Sequence, residues 1–180
     1  MRQVILYTAA SLDDFIARED GGVDWLHAPE FSIPGEDFGY SDFYESIDTT
    51  IMGRKTYDVI EGFDLPFPYP EKKNYVLTRS TEKRNTEYVE FITGDIIQFI
   101  GKLKLLKTKD IWLIGGGGIN SILLANNLID KIILTRLPVN LERGIKLFSD
   151  SDWAAKFDLT GEKRYDNGFI QLALKGRSET

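Results

Sequence analysis

Ile111-Trp112-Leu113-Ile114-Gly115-Gly116-Gly117-Gly118 is the stretch of this 180-residue chain on which the fold turns. Four consecutive apolar residues predict a buried strand, and residues 119–128 (INSILLANNL) then carry apolar side chains at helical spacing. Only glycines stand between the two. Without Cβ atoms they let the backbone take positive φ and come close to a ligand, while the following helix aims its free N–H groups into the same space. Such a junction cradles phosphate; a tight strand-to-helix turn is the plain alternative.

The same stretch excludes familiar nucleotide folds. A GxGxxG fingerprint beginning at Gly115 needs glycine at position 120, which is Asn120, and no Gly-Lys-Ser/Thr follows to make a P-loop. The dinucleotide fingerprint also wants an acid about 20 residues on, at the end of the next strand. That strand, residues 131–137, carries Thr135-Arg136 near its end. A standard Rossmann domain is not expected.

Composition narrows the chemistry. A single domain over residues 1–180 is the expectation, large enough to bury a core without staples. The net charge of −6 argues against nucleic acid or an anionic membrane as partner. There is no cysteine, so thiol catalysis, disulfides and cysteine metal sites are excluded, and a cytoplasmic location is expected. The opening run 4–10 leads straight into Asp13-Asp14 and resembles a first core strand more than a signal peptide. His27 is the only histidine, between Trp25 and Pro29 in a predicted loop. A lone imidazole lacks the partners of a catalytic triad or a histidine metal site, so no metal is expected and chemistry falls to a bound cofactor, carboxylates or hydroxyls.

Strands are predicted at 3–10, 49–52, 74–77, 89–92, 110–114 and 131–137, and helices at 41–47, 55–60, 95–106 and 119–128. Asp95 is placed to cap the third helix. Alternation of short apolar strands with helices predicts an α/β fold of three layers, a mainly parallel central sheet flanked by helices. Segments 156–165 and 169–175 flank Asn167-Gly168, a hairpin signal that adds an antiparallel C-terminal hairpin.

Two further strand ends carry polar clusters. In Met52-Gly53-Arg54-Lys55-Thr56, two cations open a helix whose dipole prefers anions, which a bound anion would reconcile. In Leu77-Thr78-Arg79-Ser80 a strand again ends in hydroxyls and a cation. In a parallel sheet these ends and the glycine run share the carboxyl edge, where open α/β folds bind ligands. Several phosphates beside two or three cations suit NADP.

The runs Ala10-Ser11-Leu12-Asp13-Asp14-Phe15-Ile16-Ala17, Asp24-Trp25-Leu26, Met52-Gly53-Arg54-Lys55-Thr56-Tyr57 and Ile114-Gly115-Gly116-Gly117 resemble the dihydrofolate reductase-like superfamily. The closer branch is the C-terminal reductase domain of bacterial riboflavin biosynthesis (the RibD C-terminal family). The usual glycine of the first motif is Asp14 here. The resemblance implies an NADPH-dependent reductase transferring hydride to a small heterocyclic substrate. That function is similar to 5-amino-6-(5-phosphoribosylamino)uracil reductase or dihydrofolate reductase. It implies that Gly53, Arg54, Lys55 and Thr56 bind adenosine-side phosphates, that Thr78, Arg79 and Ser80 lie near the 2′-phosphate, and that Gly115, Gly116, Gly117, Gly118 and Ile119 hold the pyrophosphate. Ala9, Ala10, Ile16 and Ala17 would line the nicotinamide side, and Ile114 would also touch the cofactor. The loop 21–26 would close over it, with Trp25 as its apolar anchor.

Candidates for the catalytic carboxylate are Asp13 in the first loop and Asp37, at the matching distance before Met52, with Asp42 and Glu45 on the predicted helix beside it. With no deaminase domain preceding it, the chain is expected to carry the reductase alone, as a homodimer. The alternative is a non-catalytic NADP(H)-binding regulatory or interaction module. A methyltransferase glycine loop fits less well, since its cofactor has no phosphates for Arg54, Lys55 and Arg79 to meet.

Overall fold

The computed structural model describes residues 1–82 and 84–177. Ten strands are β1 (Val4–Ala10), β2 (Phe15–Ala17), β3 (Ile47–Gly53), β4 (Lys73–Leu77), β5 (Val89–Ile92), β6 (Asp110–Gly115), β7 (Lys131–Arg136), β8 (Ile145–Lys146), β9 (Phe157–Arg164) and β10 (Ile170–Gly176). Four helices are α1 (Tyr40–Ser46), α2 (Arg54–Glu61), α3 (Ile96–Lys104) and α4 (Gly117–Ala125). Eight strands form one sheet in the order β5-β4-β3-β6-β1-β7-β10-β9, and β2 pairs with β8 in a small second sheet. From β5 through to β7 every pairing is parallel; β10 and β9 add the antiparallel edge. The α/β architecture expected from the sequence is the one observed.

Alternation along β1 explains the layers, because successive side chains of a strand point to opposite faces. Val4 and Leu6 join the large core built with Ile100 and Leu103 of α3 and Leu123 and Leu124 of α4. Ile5 points the other way, to Phe43 of α1 and Trp112. Farther along that face, Met52 and Val76 pack on Tyr57 of α2. Both faces are covered, so the inner strands read as continuous apolar runs. Among the described residues no helix is long and apolar enough to cross a membrane.

Several boundaries move. α4 begins at Gly117 rather than 119 and ends at Ala125, where Asn127 turns with φ 53°. Only Gly116 therefore links strand to helix. Ile47 belongs to β3 and not to the helix before it, because α1 runs into the strand without a loop. Asp95 caps α3 as expected, accepting from the Gln98 N–H at 2.9 Å, but that helix stops at Lys104. The sheet of β2 with β8 had no periodic signal, since strands of three and two residues are too short to show one.

Candidate active site at the carboxyl edge

The glycine junction is tight for reasons each residue shows separately. Gly115 sits at φ 110°, outside the range of most side chains, and its peptide bond to Gly116 is cis. A methyl group on Gly117 would lie 2.2 Å from the carbonyl oxygen of Lys146 in β8, and one on Gly116 would lie 3.1 Å from Thr56 Oγ1. Gly53 is closed by Ile119, whose Cγ1 would be 2.9 Å from an added Cβ. Gly118 alone faces open space within 4 Å. Three glycines thus let chain pass against chain, and the fourth leaves the first turn of α4 uncovered.

The three polar strand ends come together. Gly53 pairs with Leu77, and Met52 with Gly115, so the ends of β4, β3 and β6 are neighbours in that order. Arg54 is partly buried, with Nε 2.6 Å from Asp58 Oδ1 one turn along α2. Lys55 and Arg79 are exposed, and among the described residues neither side chain forms an ion pair or hydrogen bond. Thr78 Oγ1 accepts from the Ser80 N–H at 3.1 Å, and Ser80 Oγ from the Glu82 N–H at 3.3 Å. These hydroxyls shape the turn that presents Arg79. The set gathers glycines and cations at one sheet edge, a charge that suits a polyphosphate.

The first loop is laced to residues 141–147. Asp13 accepts from Ser11 Oγ at 2.6 Å and from the N–H groups of Glu142 at 2.7 Å and Leu141 at 3.1 Å. Leu147 N–H donates to the Asp14 carbonyl at 2.8 Å, and Asn120 Nδ2 donates to the Leu147 carbonyl at 3.1 Å. A continuous path therefore runs from α4 through β8 to the loop at 11–17. Asp14, where a glycine is usual, adopts φ 65° and pairs with Arg136 at 2.7 Å; aspartate tolerates that region better than most residues.

The residues expected against the cofactor divide. Ala9 and Ile114 are half-buried on the face of the sheet that α1 and α2 pack on, Ile114 at the meeting of two aromatic clusters. Ala10 is fully buried and faces the α3/α4 core, so strand alternation turns its methyl to the face opposite Ala9. Ile16 is half-buried against that same core, and Ala17 is buried in β2. Trp25 is only 6% exposed and packs with Leu137 and Phe169, with Phe31 and Phe38 alongside. Its indole N–H is buried without a described partner. The segment 24–38 is thereby folded down on the β7–β10 end of the sheet.

Neither Asp13 nor Asp37 is set to release a proton near neutrality. Burial raises the Asp13 carboxyl, but the Ser11 hydroxyl and the two backbone donors outweigh it and leave it below the ordinary value. Asp37 is exposed and held low by the Ser41 hydroxyl together with the N–H groups of Ser41 at 3.0 Å and Gly39 at 2.9 Å. Both carboxylates are loop ties. Asp42 and Glu45 are exposed on α1.

Sequence reasoning missed a neutral network on the α1 face of the sheet. Ala9, Thr135 and Gln171 lie side by side across β1, β7 and β10. Gln171 Nε2 donates to the Phe38 carbonyl at 2.9 Å and to Thr135 Oγ1 at 3.1 Å, while Tyr7 O–H donates to the same carbonyl at 3.2 Å. Burial, then the neighbouring Tyr165 and Asp37, push the Tyr7 phenol up to about 12, so it stays a donor. Two-residue periodicity in β1 and β7 could have placed Ala9 and Thr135 on one face; only the register adds Gln171.

Comparison with known proteins agrees with this geometry. A family model described as dihydrofolate reductase matches residues 44–170. Protein YwjB of Bacillus subtilis (strain 168), described as uncharacterized, is 40% identical over 95% of this chain and 96% of its own. YyaP of the same organism, likewise described, is 30% identical over 95% of this chain and 93% of its own. Among solved structures, a Shewanella sp. PV-4 protein whose name assigns it to riboflavin biosynthesis superposes with a TM-score of 0.85 at 26% identity, covering 98% of this chain and 99% of that one. A Thermotoga maritima diaminohydroxyphosphoribosylaminopyrimidine deaminase/5-amino-6-(5-phosphoribosylamino)uracil reductase shares the fold, with a TM-score of 0.72 at 16% identity over 98% of this chain and 57% of that one.

Proposed function

The chain belongs to the dihydrofolate reductase family, and from that premise we propose that it is an NADPH-dependent reductase acting on a small heterocycle. The observation that carries the proposal is the convergence of Gly53-Arg54-Lys55-Thr56, Thr78-Arg79-Ser80 and Gly115–Gly118 at one carboxyl edge. The open first turn of α4 at Gly118 and the free cations Lys55 and Arg79 fit a phosphate-rich dinucleotide, and NADPH would supply the hydride. The chain's own part is to hold the phosphates, to bring the half-buried face at Ala9 and Ile114 against the flat ring, and to exclude water with the segment carrying Trp25. Likeness to the Shewanella protein, named for riboflavin biosynthesis, favours a substrate of that route over dihydrofolate. The low-held carboxyls of Asp13 and Asp37, neither poised to protonate a pterin, favour it too. We also propose that two copies pair along β9, the edge strand of the C-terminal hairpin.

Titration with NADPH and NADH, followed by tryptophan fluorescence, tests the cofactor. NADPH is expected to bind at least tenfold more tightly, a difference of ~1.4 kcal/mol, and Arg79→Ala to remove most of that preference. Equal affinities, or no binding of either, overturn the proposal. The low-lying carboxyls also favour a second reading, an NADP(H)-binding module without catalysis. Tight NADPH binding with no oxidation across pyrimidine and pterin substrates would select it.

A further inference from the structure

Arg136, the last residue of β7, stands in register with Ala10 at the end of β1, where the first loop begins. One nitrogen of its guanidinium serves two residues of that loop. Nη1 donates to the Leu12 carbonyl at 3.2 Å and lies 2.7 Å from Asp14 Oδ1. The Asp14 carboxylate is part-exposed, but Oδ1 is its inward oxygen, buried and without a hydrogen bond to any described residue. The Arg136 charge is therefore what offsets it. Asp14 also holds φ 65°, a conformation that glycine takes freely and that here brings a carboxylate into the loop.

Two steps carry the position of Asp14 to the glycine junction. Its carbonyl accepts from the Leu147 N–H at 2.8 Å, and the Leu147 carbonyl accepts from Asn120 Nδ2 at 3.1 Å. Leu147 is fully buried and Asn120 is 1% exposed. The Asn120 N–H donates to the Gly116 carbonyl at 3.0 Å, and its Oδ1 would lie 3.0 Å from a Cβ on Gly115. Buried groups linked in this way move together, because moving one alone leaves a polar atom unpaired. A loop displaced at Asp14 thus displaces the first turn of α4.

We propose that Arg136 is a positioning residue: it holds the inward carboxylate of Asp14, and with it the first loop, in the form that keeps Gly115–Gly118 placed for phosphate. The proposal rests on the reductase reading for its ligand but not for its coupling, so two measurements test it. Hydrogen exchange follows the amides of Leu147 and Asn120, which donate to Asp14 and Gly116. In Arg136→Met they are expected to exchange at least fivefold faster, with the amides of α3 within twofold of wild type. Titration is expected to show NADPH bound at least tenfold more weakly by that variant. Asp14→Gly removes the carboxylate and keeps the turn, so it should stay within threefold of wild type in both readouts. The double variant Asp14→Gly, Arg136→Met should recover to the same level. Should Arg136→Met melt early, Arg136→Gln gives the same comparison. Unchanged exchange at Leu147 and Asn120 overturns the coupling. A double variant that stays weak overturns it too, since Arg136 would then be acting on the cofactor directly. Failure of the wild type to bind NADPH overturns the cofactor reading instead, and the exchange rates still decide the coupling.

Discussion

Gly117 and Gly118 are adjacent in one helical turn, yet a methyl group would meet opposite surroundings at each. At 117 it would press on the Lys146 carbonyl oxygen at 2.2 Å, a backbone atom held by the pairing of β8 with β2. Gly117→Ala is therefore expected to cost about 1–3 kcal/mol in urea unfolding, the range for overpacking. At 118 nothing stands within 4 Å, so Gly118→Ala should leave stability within about 0.5 kcal/mol of wild type. If phosphate approaches that turn, the same change lowers NADPH affinity at unchanged stability, a split that fluorescence titration and unfolding read separately. Four identical letters in the sequence could not show this difference. Asp14 is the converse: its identity breaks the expected glycine, but its φ of 65° keeps the glycine conformation, and Arg136 stabilises it.

At the scale of elements, the lacing of the first loop to residues 141–147 matters most. Asp13 fixes it by three hydrogen bonds, and the folded-state carboxyl lies below its ordinary value of 3.8. A lowered carboxyl stabilises the fold in full above that ordinary value, and the contribution is lost as pH falls through the lower, folded-state value. Asp13→Asn should thus destabilise the protein by about 1–3 kcal/mol at pH 7. The gap to wild type should narrow toward pH 3, as followed by urea unfolding at both pH values. A gap that is constant with pH would show that the charge of Asp13 contributes nothing. Most of the sheet and all four helices were legible from periodicity, because each buries an apolar face of its own. The small sheet of β2 with β8 was not, because its pairing is set by the crossing of loops distant in sequence.

For the whole molecule, the central fact is that the sheet order sets β4, β3 and β6 side by side. Parallel register then brings their carboxyl ends together, and three individually weak motifs share one edge. At the opposite end of the order, β9 has a neighbour on one side only, and Leu159 on it is 57% exposed. Pairing of two such edges predicts a light-scattering mass of twice the 20.5 kDa chain, and a mass of one chain would exclude it. The sequence alone determined the α/β class, the C-terminal hairpin and the three polar strand ends, since these depend on local periodicity and on backbone freedom at glycine. Tertiary structure decided which faces those residues meet. Strand alternation turned Ala10 toward the α3/α4 core, donors from the distant residues 141 and 142 made Asp13 a tie, and packing of α1 on β6 gathered tyrosines 40, 44 and 69 around Trp112. No local pattern encodes such contacts, because the groups that define them are separated by up to 129 residues along the chain.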